Sequence, residues 1–343
     1  MRNAAKIAGG AAAAGMAGWA AYSYKMMNKP IPSDGEARAY AKSLMEKVGL
    51  GEFFDTWREE RIRAGDNELA LYHFESEPGD PTMVFVPGTS IYALVYIEYL
   101  YKLSKQGFNV VGFDPRGHGM SSGKRGVYTL GELVDDAVAV IDHAVNTYGD
   151  NVAVSGSSQG GMVAFYCAAA EPRLKAAVCH NIIAPDEPDN ERMTRWPGFY
   201  GILLGMSKLP FIQPLLNTPM GYVMPPVSAY LDLEAEPCRV FPALPEFFRE
   251  DPLIVNAVSL SALASLGATP MAVRVEDIKT PVMVVHPGED NIFPEDYVRR
   301  VYDRLNCEKE WLYLEGKPHL VLIDYVDEIL PTIAEWLKKV MAG

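Results

Sequence analysis

The sequence predicts an α/β fold: a mostly parallel sheet with helices on both faces, interrupted once by an inserted helical lid. Three observations predict it. Short runs rich in β-branched residues, Thr82 to Pro87, Asn109 to Asp114, Asn151 to Ser155 and Ala176 to Asn181, are each followed by a turn and a helical stretch. Continuous apolar strands alternating with helices form parallel sheets covered on both sides. The alternation stops at about Ala184, where Pro, Met, Phe and Tyr become frequent, and resumes at Pro281 to His286 and Lys309 to Leu314. Finally, Gly156-Ser157-Ser158-Gln159-Gly160 sits directly between a strand and a helix.

From the amino terminus, residues 1–29 form a hydrophobic leader. They hold Arg2, Lys6, Lys25 and Lys29 and no acid, although the 343-residue chain carries a net charge of −13. Ile7 to Tyr24 is uncharged and as a helix reaches about 27 Å, against a bilayer core of about 30 Å. A membrane anchor through residues 7–24 is therefore expected, weakened by eight Ala and four Gly. A secretory signal cleaved near Gly18-Trp19-Ala20, an organellar presequence and a disordered leader compete with it. Localisation follows the leader: membrane-associated as an anchor, secreted after cleavage, cytoplasmic otherwise.

Pro30 to Gly35 separates leader from body, and Glu36 to Lys47 reads as an amphipathic helix. Trp57 to Ala64 and Glu68 to Phe74 alternate apolar with polar around Gly65-Asp66-Asn67, a hairpin pattern. The expected core runs over 30–183 and 273–343, with a helical lid over 184–272. Within the lid, Trp196 to Met206, Phe211 to Leu216 and Pro252 to Leu266 read as helices, and Val321 to Lys339 closes the core as one amphipathic helix. The acidic body has no basic stripe, so no nucleic-acid partner is expected. Cys167, Cys179, Cys238 and Cys307 are scattered, without the spacing of a zinc site or a redox dithiol.

Ser158 is the residue that the glycines frame. A serine on a sharp strand-to-helix turn needs a small residue two before and two after it, and the helix amino terminus lowers the energy of a developing anion beside it. Its hydroxyl needs a base, which in open α/β sheets is found at later strand ends. Pro287-Gly288-Glu289-Asp290 follows one such strand and Gly316-Lys317-Pro318-His319 the next. His319 is the expected base and Asp290 its orienting acid, with Glu289 as the rival. His73, His118, His143, His180 and His286 lie in strands, a helix or an early glycine turn. The expected oxyanion donors are the amides of Gln159 and of Thr89, after the strand ending at Pro87. Asp114 and Arg116, in a glycine-rich loop, are expected to pin that loop.

These pieces, Val84 to Ser90, Asp114 to Gly123, Gly156 to Gly160, Gly288 to Pro294 and Gly316 to His319, resemble the α/β-hydrolase superfamily. They are most similar to its monoacylglycerol-lipase-like and lysophospholipase-like esterases, over about residues 50 to 340. The resemblance implies an eight-stranded sheet and a serine hydrolase with a Ser-His-Asp triad. It further implies an acyl-enzyme intermediate and no metal or organic cofactor. Pro87 stands where relatives usually have a histidine, and Pro318-His319-Leu320 lacks the usual glycine before and acid after the histidine. The lid's apolar residues, among them Trp196, Phe199, Tyr200, Met206, Phe241 and Phe247, suit an acyl chain, each buried methylene contributing about 0.8 kcal/mol. The expected substrate is a small-molecule ester with a medium or long acyl chain. Amidase, aminopeptidase and thioesterase activity are the alternatives on the same triad, and a non-catalytic receptor or scaffold the alternative from another class. A serine at this turn argues against dehalogenase and epoxide-hydrolase chemistry, which in relatives uses aspartate there.

Overall fold

The computed structural model describes residues 17–207, 218, 221–233 and 236–342. Its sheet contains β1 (Arg58–Ala64), β2 (Asn67–Phe74), β3 (Thr82–Val86), β4 (Asn109–Phe113), β5 (Val152–Ser157), β6 (Ala176–His180), β7 (Val282–Pro287) and β8 (Lys309–Leu314). Their order is β1-β2-β4-β3-β5-β6-β7-β8. The β1–β2 and β2–β4 pairings are antiparallel and all others parallel, which bears out the expected eight-stranded, mostly parallel sheet. The hairpin closes with Ala64 opposite Asn67, so Gly65 and Asp66 alone form its loop, and Gly65 takes φ +56°.

Helices α1 (Asp34–Lys47), α2 (Ile97–Ser104), α3 (Leu130–Tyr148) and α4 (Gln159–Ala170) belong to the first part of the body. Among the described residues, α5 (Pro197–Ser207), α6 (Leu244–Glu250) and α7 (Leu260–Ala268) lie between β6 and β7. The chain ends with α8 (Glu295–Asp303), α9 (Val321–Asp324) and α10 (Val326–Met341). Strand alternation divides the core. Val84, Val86, Val111 and Val154 pack with Leu133, Ile141 and Val163 of α3 and α4. Met83, Phe85, Val110 and Ala153 pack on the other face with Leu100 and Leu103 of α2 and Ile333 and Leu337 of α10. Both faces of β3 to β7 are therefore dry, which is why these strands read as unbroken apolar runs, whereas the edge strand β8 is partly exposed.

Several local expectations change. The terminal helix is two, parted at Tyr325, where Asp324 turns its carboxylate to the Arg239 and Val240 amides at 2.6 and 3.0 Å instead of to solvent. The helix expected from Pro252 begins at Leu260, capped by the Ser259 hydroxyl. Upstream of that cap the chain is held extended, with Val255 N donating to Ser90 O at 2.9 Å and a bridge between Pro226 and Ala257. The helix expected at Phe211 to Leu216 lies outside the described residues.

Of the expected membrane span, residues 7–16 also lie outside them. Residues 17–27 are helical, and no helix among the described residues is long and apolar enough to cross a membrane. The end of the leader is not separate from the body. The Ser23 hydroxyl accepts from Met224 N at 3.1 Å, Met27 O accepts from Arg125 N at 3.0 Å, and Lys29 Nζ reaches Ile254 O at 3.0 Å. Those buried carbonyls need donors, so the basic residue is used for packing as well as for charge.

Candidate active site

The chain passes from β3 to β4 on one side and from β4 to β5 on the other, so β3 and β5 flank the point where the strand order reverses, the place where open sheets form clefts. Ser158 stands there as the cap of α4, with φ +54° and ψ −118°. For a serine this backbone costs on the order of 1–3 kcal/mol, and the surroundings enforce it. A Cβ on Gly156 would collide with the Gly160 carbonyl, and one on Gly160 with the Val86 carbonyl. Ser158 N donates to His180 O at 3.1 Å and also faces His180 Nδ1 at 3.3 Å.

The β3 exit runs alongside. A Cβ on Gly88 would lie 3.5 Å from Ser158 Cβ. Thr89 and Gln159, 8% and 5% exposed, line one cavity with Ser158, and their amides make no hydrogen bond among the described residues. Two free N–H groups at the mouth of a helix, beside a serine, form a place where a negative oxygen is stabilised.

Asp290 and His319 form a pair. His319 Nδ1 is 2.8 Å from Asp290 Oδ2. Asp290 Oδ2 also accepts from Asn181 Nδ2 at 2.7 Å, and Oδ1 accepts from the Ile292 and Phe293 amides at 2.8 and 2.9 Å. Burial pushes this carboxyl up, but the facing His319 imidazole, the hydrogen bond to it and His180 outweigh burial and hold it well below the usual carboxylate range. Burial pushes His319 down, while Asp290 and Glu236 more than offset this, so the imidazole is raised from its ordinary value. The imidazole lies flat on Phe293, ring centroids 5.8 Å apart and planes 8° from parallel. Glu289 is exposed, its amide tied to Lys317 O at 2.9 Å, so it takes no part in the pair. Ser158 and His319 line a second cavity together, though their side chains make no hydrogen bond to each other in this state.

Two apolar cavities thus meet at Ser158 and Thr89. One runs past Tyr200, Tyr230, Leu263 and Phe293, the other past Phe241, Leu244, Phe247 and Ile323. Among the described residues neither is lined by a carboxylate, lysine or arginine. The aromatic residues between β6 and β7 are divided: Tyr200, Phe241 and Phe247 are buried, whereas Trp196, Phe199 and Met206 are 63%, 63% and 45% exposed.

A family model described as serine aminopeptidase, S33, matches residues 77–325, a span that includes the Ser158 turn, both cavities and the Asp290–His319 pair. The chain belongs to this α/β-hydrolase family. The hydrolase is 25% identical over 246 residues to a monoacylglycerol lipase of Mycolicibacterium smegmatis, covering 69% of this chain and 81% of that one. It is also 23% identical over 280 residues to an abhydrolase domain-containing protein of Dictyostelium discoideum, of whose length it spans 26%. Among solved structures, the fold is shared with the monoacylglycerol lipase of Paleococcus ferrophilus, at a TM-score of 0.63, 23% identity and coverage of 79% of this chain and 99% of that one. It is shared too with a soluble variant of a monoglyceride lipase from Saccharomyces cerevisiae, at 0.66, 15%, 83% and 96%.

Three residues of the hydrolase's site were not singled out from sequence. His180 Nδ1 is 3.0 Å from Ser157 Oγ, and its ring centroid lies 4.8 Å from that of His319, the planes tilted by 38°. Burial, then His319, push it well below the ordinary imidazole value, so it stays neutral. Asn181, at φ +69°, holds Asp290 with its amide nitrogen and His286 Nδ1 with its oxygen at 2.7 Å. Both sit at the carboxyl end of β6, next to the strand that leads to Ser158, and strand-end position is the one sequence signal that could have found them. Glu236, 4% exposed, accepts from His319 N at 3.3 Å and Asn291 Nδ2 at 3.1 Å; it comes from the irregular segment between β6 and β7, and no local pattern marks it. The loop of Asp114 and Arg116 is architectural as expected. Arg116 Nη2 pairs with buried Asp136 at 2.7 Å, and Asp114 accepts from Ala93 N, Met120 N and the Tyr72 hydroxyl at 2.8–2.9 Å.

Proposed function

We propose that this protein hydrolyses carboxylic esters with a medium or long acyl chain and an uncharged alcohol, of the monoacylglycerol type, through a Ser158-His319-Asp290 triad. The observation that carries this reading is the pair of uncharged apolar cavities meeting at a strained serine with two free amides beside it. Ser158 Oγ attacks the ester carbonyl carbon while His319 Nε2 takes the hydroxyl proton, and Asp290 fixes the tautomer through Nδ1 and stabilises the imidazolium. The tetrahedral oxygen is held by the amides of Thr89 and Gln159. Collapse breaks the bond to the alcohol oxygen, which leaves with the proton from His319. A water deprotonated by His319 then attacks the acyl carbon; collapse breaks its bond to Ser158 Oγ, which takes the proton back from His319 as the acid leaves.

The segment 184–272 acts as the lid that supplies the acyl-chamber wall. Lysophospholipids fit less well, because a charged headgroup has no counter-charge along either cavity. Aminopeptidase activity would need an acid for a free amino terminus. The buried acid nearby, Glu236, is turned to His319 N and Asn291 and lines neither cavity. The proposed membrane attachment through residues 7–24 rests on composition alone.

The test is turnover of a panel of glycerol monoesters from C2 to C18, with an aminoacyl amide and a lysophosphatidylcholine beside it. The reading predicts that kcat/KM rises by at least tenfold from C4 to C12, since each buried methylene adds about 0.8 kcal/mol, and that the amide and the lysophospholipid are turned over at least tenfold more slowly. A flat or falling chain-length profile, or preference for the amide, contradicts it.

A further inference from the structure

On the face of the β1–β2 hairpin that α3 covers, three side chains from distant parts of the sequence converge. Arg58 is registered opposite His73 and Glu60 opposite Leu71, so Glu60 and His73 are diagonal neighbours on one face. His143 reaches them from α3. Glu60 Oε2 is 3.2 Å from His73 Nε2 and 3.5 Å from His143 Nε2, and the three atoms all lie within 4.8 Å of one another. Four ligands placed about 2.0–2.1 Å from a tetrahedral ion are separated from each other by about 3.3 Å. Two of the three edges already have that length.

The hydrogen bonds leave the third atom poised. His73 is 1% exposed, and its Nε2 is buried with no hydrogen bond, despite the nearby carboxylate. Its Nδ1 is 2.9 Å from the Tyr148 hydroxyl, which gives its one proton to Glu75 Oε1 at 3.3 Å. With the Tyr148 proton on Glu75, the ring proton is assigned to Nδ1; the Nε2 lone pair then faces Glu60, an arrangement that repels unless a cation lies between. Burial, followed by the Arg58 charge and opposed by Glu60 and Glu75, pushes His73 down to about 4, so the ring is neutral. A hydroxyl that orients a metal-bound imidazole through its far nitrogen is a common outer-shell device. Glu60 and His143 keep 32% and 22% of their side chains exposed, which gives an ion and a water a way in. Arg58 competes for Glu60 at 2.9 Å but also holds Glu75 at 3.1 Å, and Glu75 retains it when Glu60 turns to an ion.

We propose that Glu60, His73 and His143 bind one zinc-class divalent ion, with water as the fourth ligand, and that this ion staples the β1–β2 hairpin to α3. Two imidazoles with one carboxylate favour zinc over magnesium or calcium, which take all-oxygen sites. The staple lies on β1 and β2, four and three strand positions across the sheet from β5, which leads to Ser158, and has no part in ester hydrolysis.

The full chain, stripped with EDTA, is titrated with Co²⁺ followed by visible absorption and with Zn²⁺ followed by thermal unfolding. The expected result is one equivalent of four-coordinate Co²⁺ and a Zn²⁺-dependent rise in Tm, with ester turnover of the stripped protein unchanged from that of the untreated protein. Glu60→Gln and His143→Gln, both at partly exposed positions that the fold tolerates, each weaken Co²⁺ binding about 100-fold, and Tyr148→Phe weakens it at least tenfold. His180, Asp290 and His319 form another cluster of possible ligands, so His319→Gln is the control and leaves the spectrum unchanged. The proposal is overturned by a Co²⁺ spectrum that survives His143→Gln and disappears with His319→Gln. It is overturned equally if the wild type shows no four-coordinate spectrum at millimolar Co²⁺.

Discussion

Ser158→Ala is expected to lower kcat for ester hydrolysis by on the order of 10⁶-fold while leaving the protein folded. Removing the nucleophile of a triad leaves only what binding and the oxyanion donors supply, and losses of that order are measured where the hydroxyl does the bond-making. The geometry adds a reason to expect no loss of stability. Ser158 occupies a left-handed φ of +54°, where alanine suffers the same strain, and its hydroxyl makes no hydrogen bond to be lost among the described residues. Substrate KM should change by less than threefold, because both cavities remain. A fall in kcat below tenfold would remove Ser158 from the chemistry and favour a receptor with the hydrolase fold. Ser157 is the proper control: its hydroxyl is committed to His180 Nδ1 at 3.0 Å, so Ser157→Ala keeps the acyl-enzyme step.

Asp290→Asn is expected to lower kcat by about 10⁴-fold, as loss of the orienting acid does in other triads. An amide there donates toward His319 Nδ1 instead of accepting from it, which turns the tautomer the wrong way. The pH profile separates this from simple unfolding. In the wild type the Asp290 charge raises the His319 imidazole, and the base form exists only above that pKa, so activity falls as pH drops through a value above the ordinary imidazole range. Without the carboxylate the imidazole pKa falls, and the acid limb of the residual activity moves to lower pH. Glu236 also raises His319, so Glu236→Gln moves the limb in the same direction. Glu289→Gln, at an exposed side chain, should leave rate and profile unchanged; a larger loss there than at Asp290 would transfer the role of the acid.

What could be read from sequence is what is encoded locally. The strand runs, the glycines around Ser158 and the strand-end turns at Asp290 and His319 each reflect a constraint acting over a few residues: alternation on a sheet, a Cβ collision, a turn. The contacts that were missed join segments far apart in the chain. Glu236 reaches His319 across 83 residues, with no local pattern to mark the meeting, and His180 pairs with Ser157 across 23, where a strand-end position is the only local signal. The break at Tyr325 has the same origin, since Asp324 is drawn off by the Arg239 and Val240 amides. The leader was read as a separate object from its charge, yet Lys29 is held by carbonyls more than 220 residues away. The Asp290 and Glu289 alternatives were separated only by which side chain the turn directs inward.

The most direct test of the account is reaction of the folded protein with a fluorophosphonate, followed by peptide mapping of the adduct by mass spectrometry. The account predicts one stoichiometric adduct on the Ser158 hydroxyl, lost in Ser158→Ala and retained in Ser157→Ala. Absence of labelling in folded protein, or an adduct on any other residue, would contradict it.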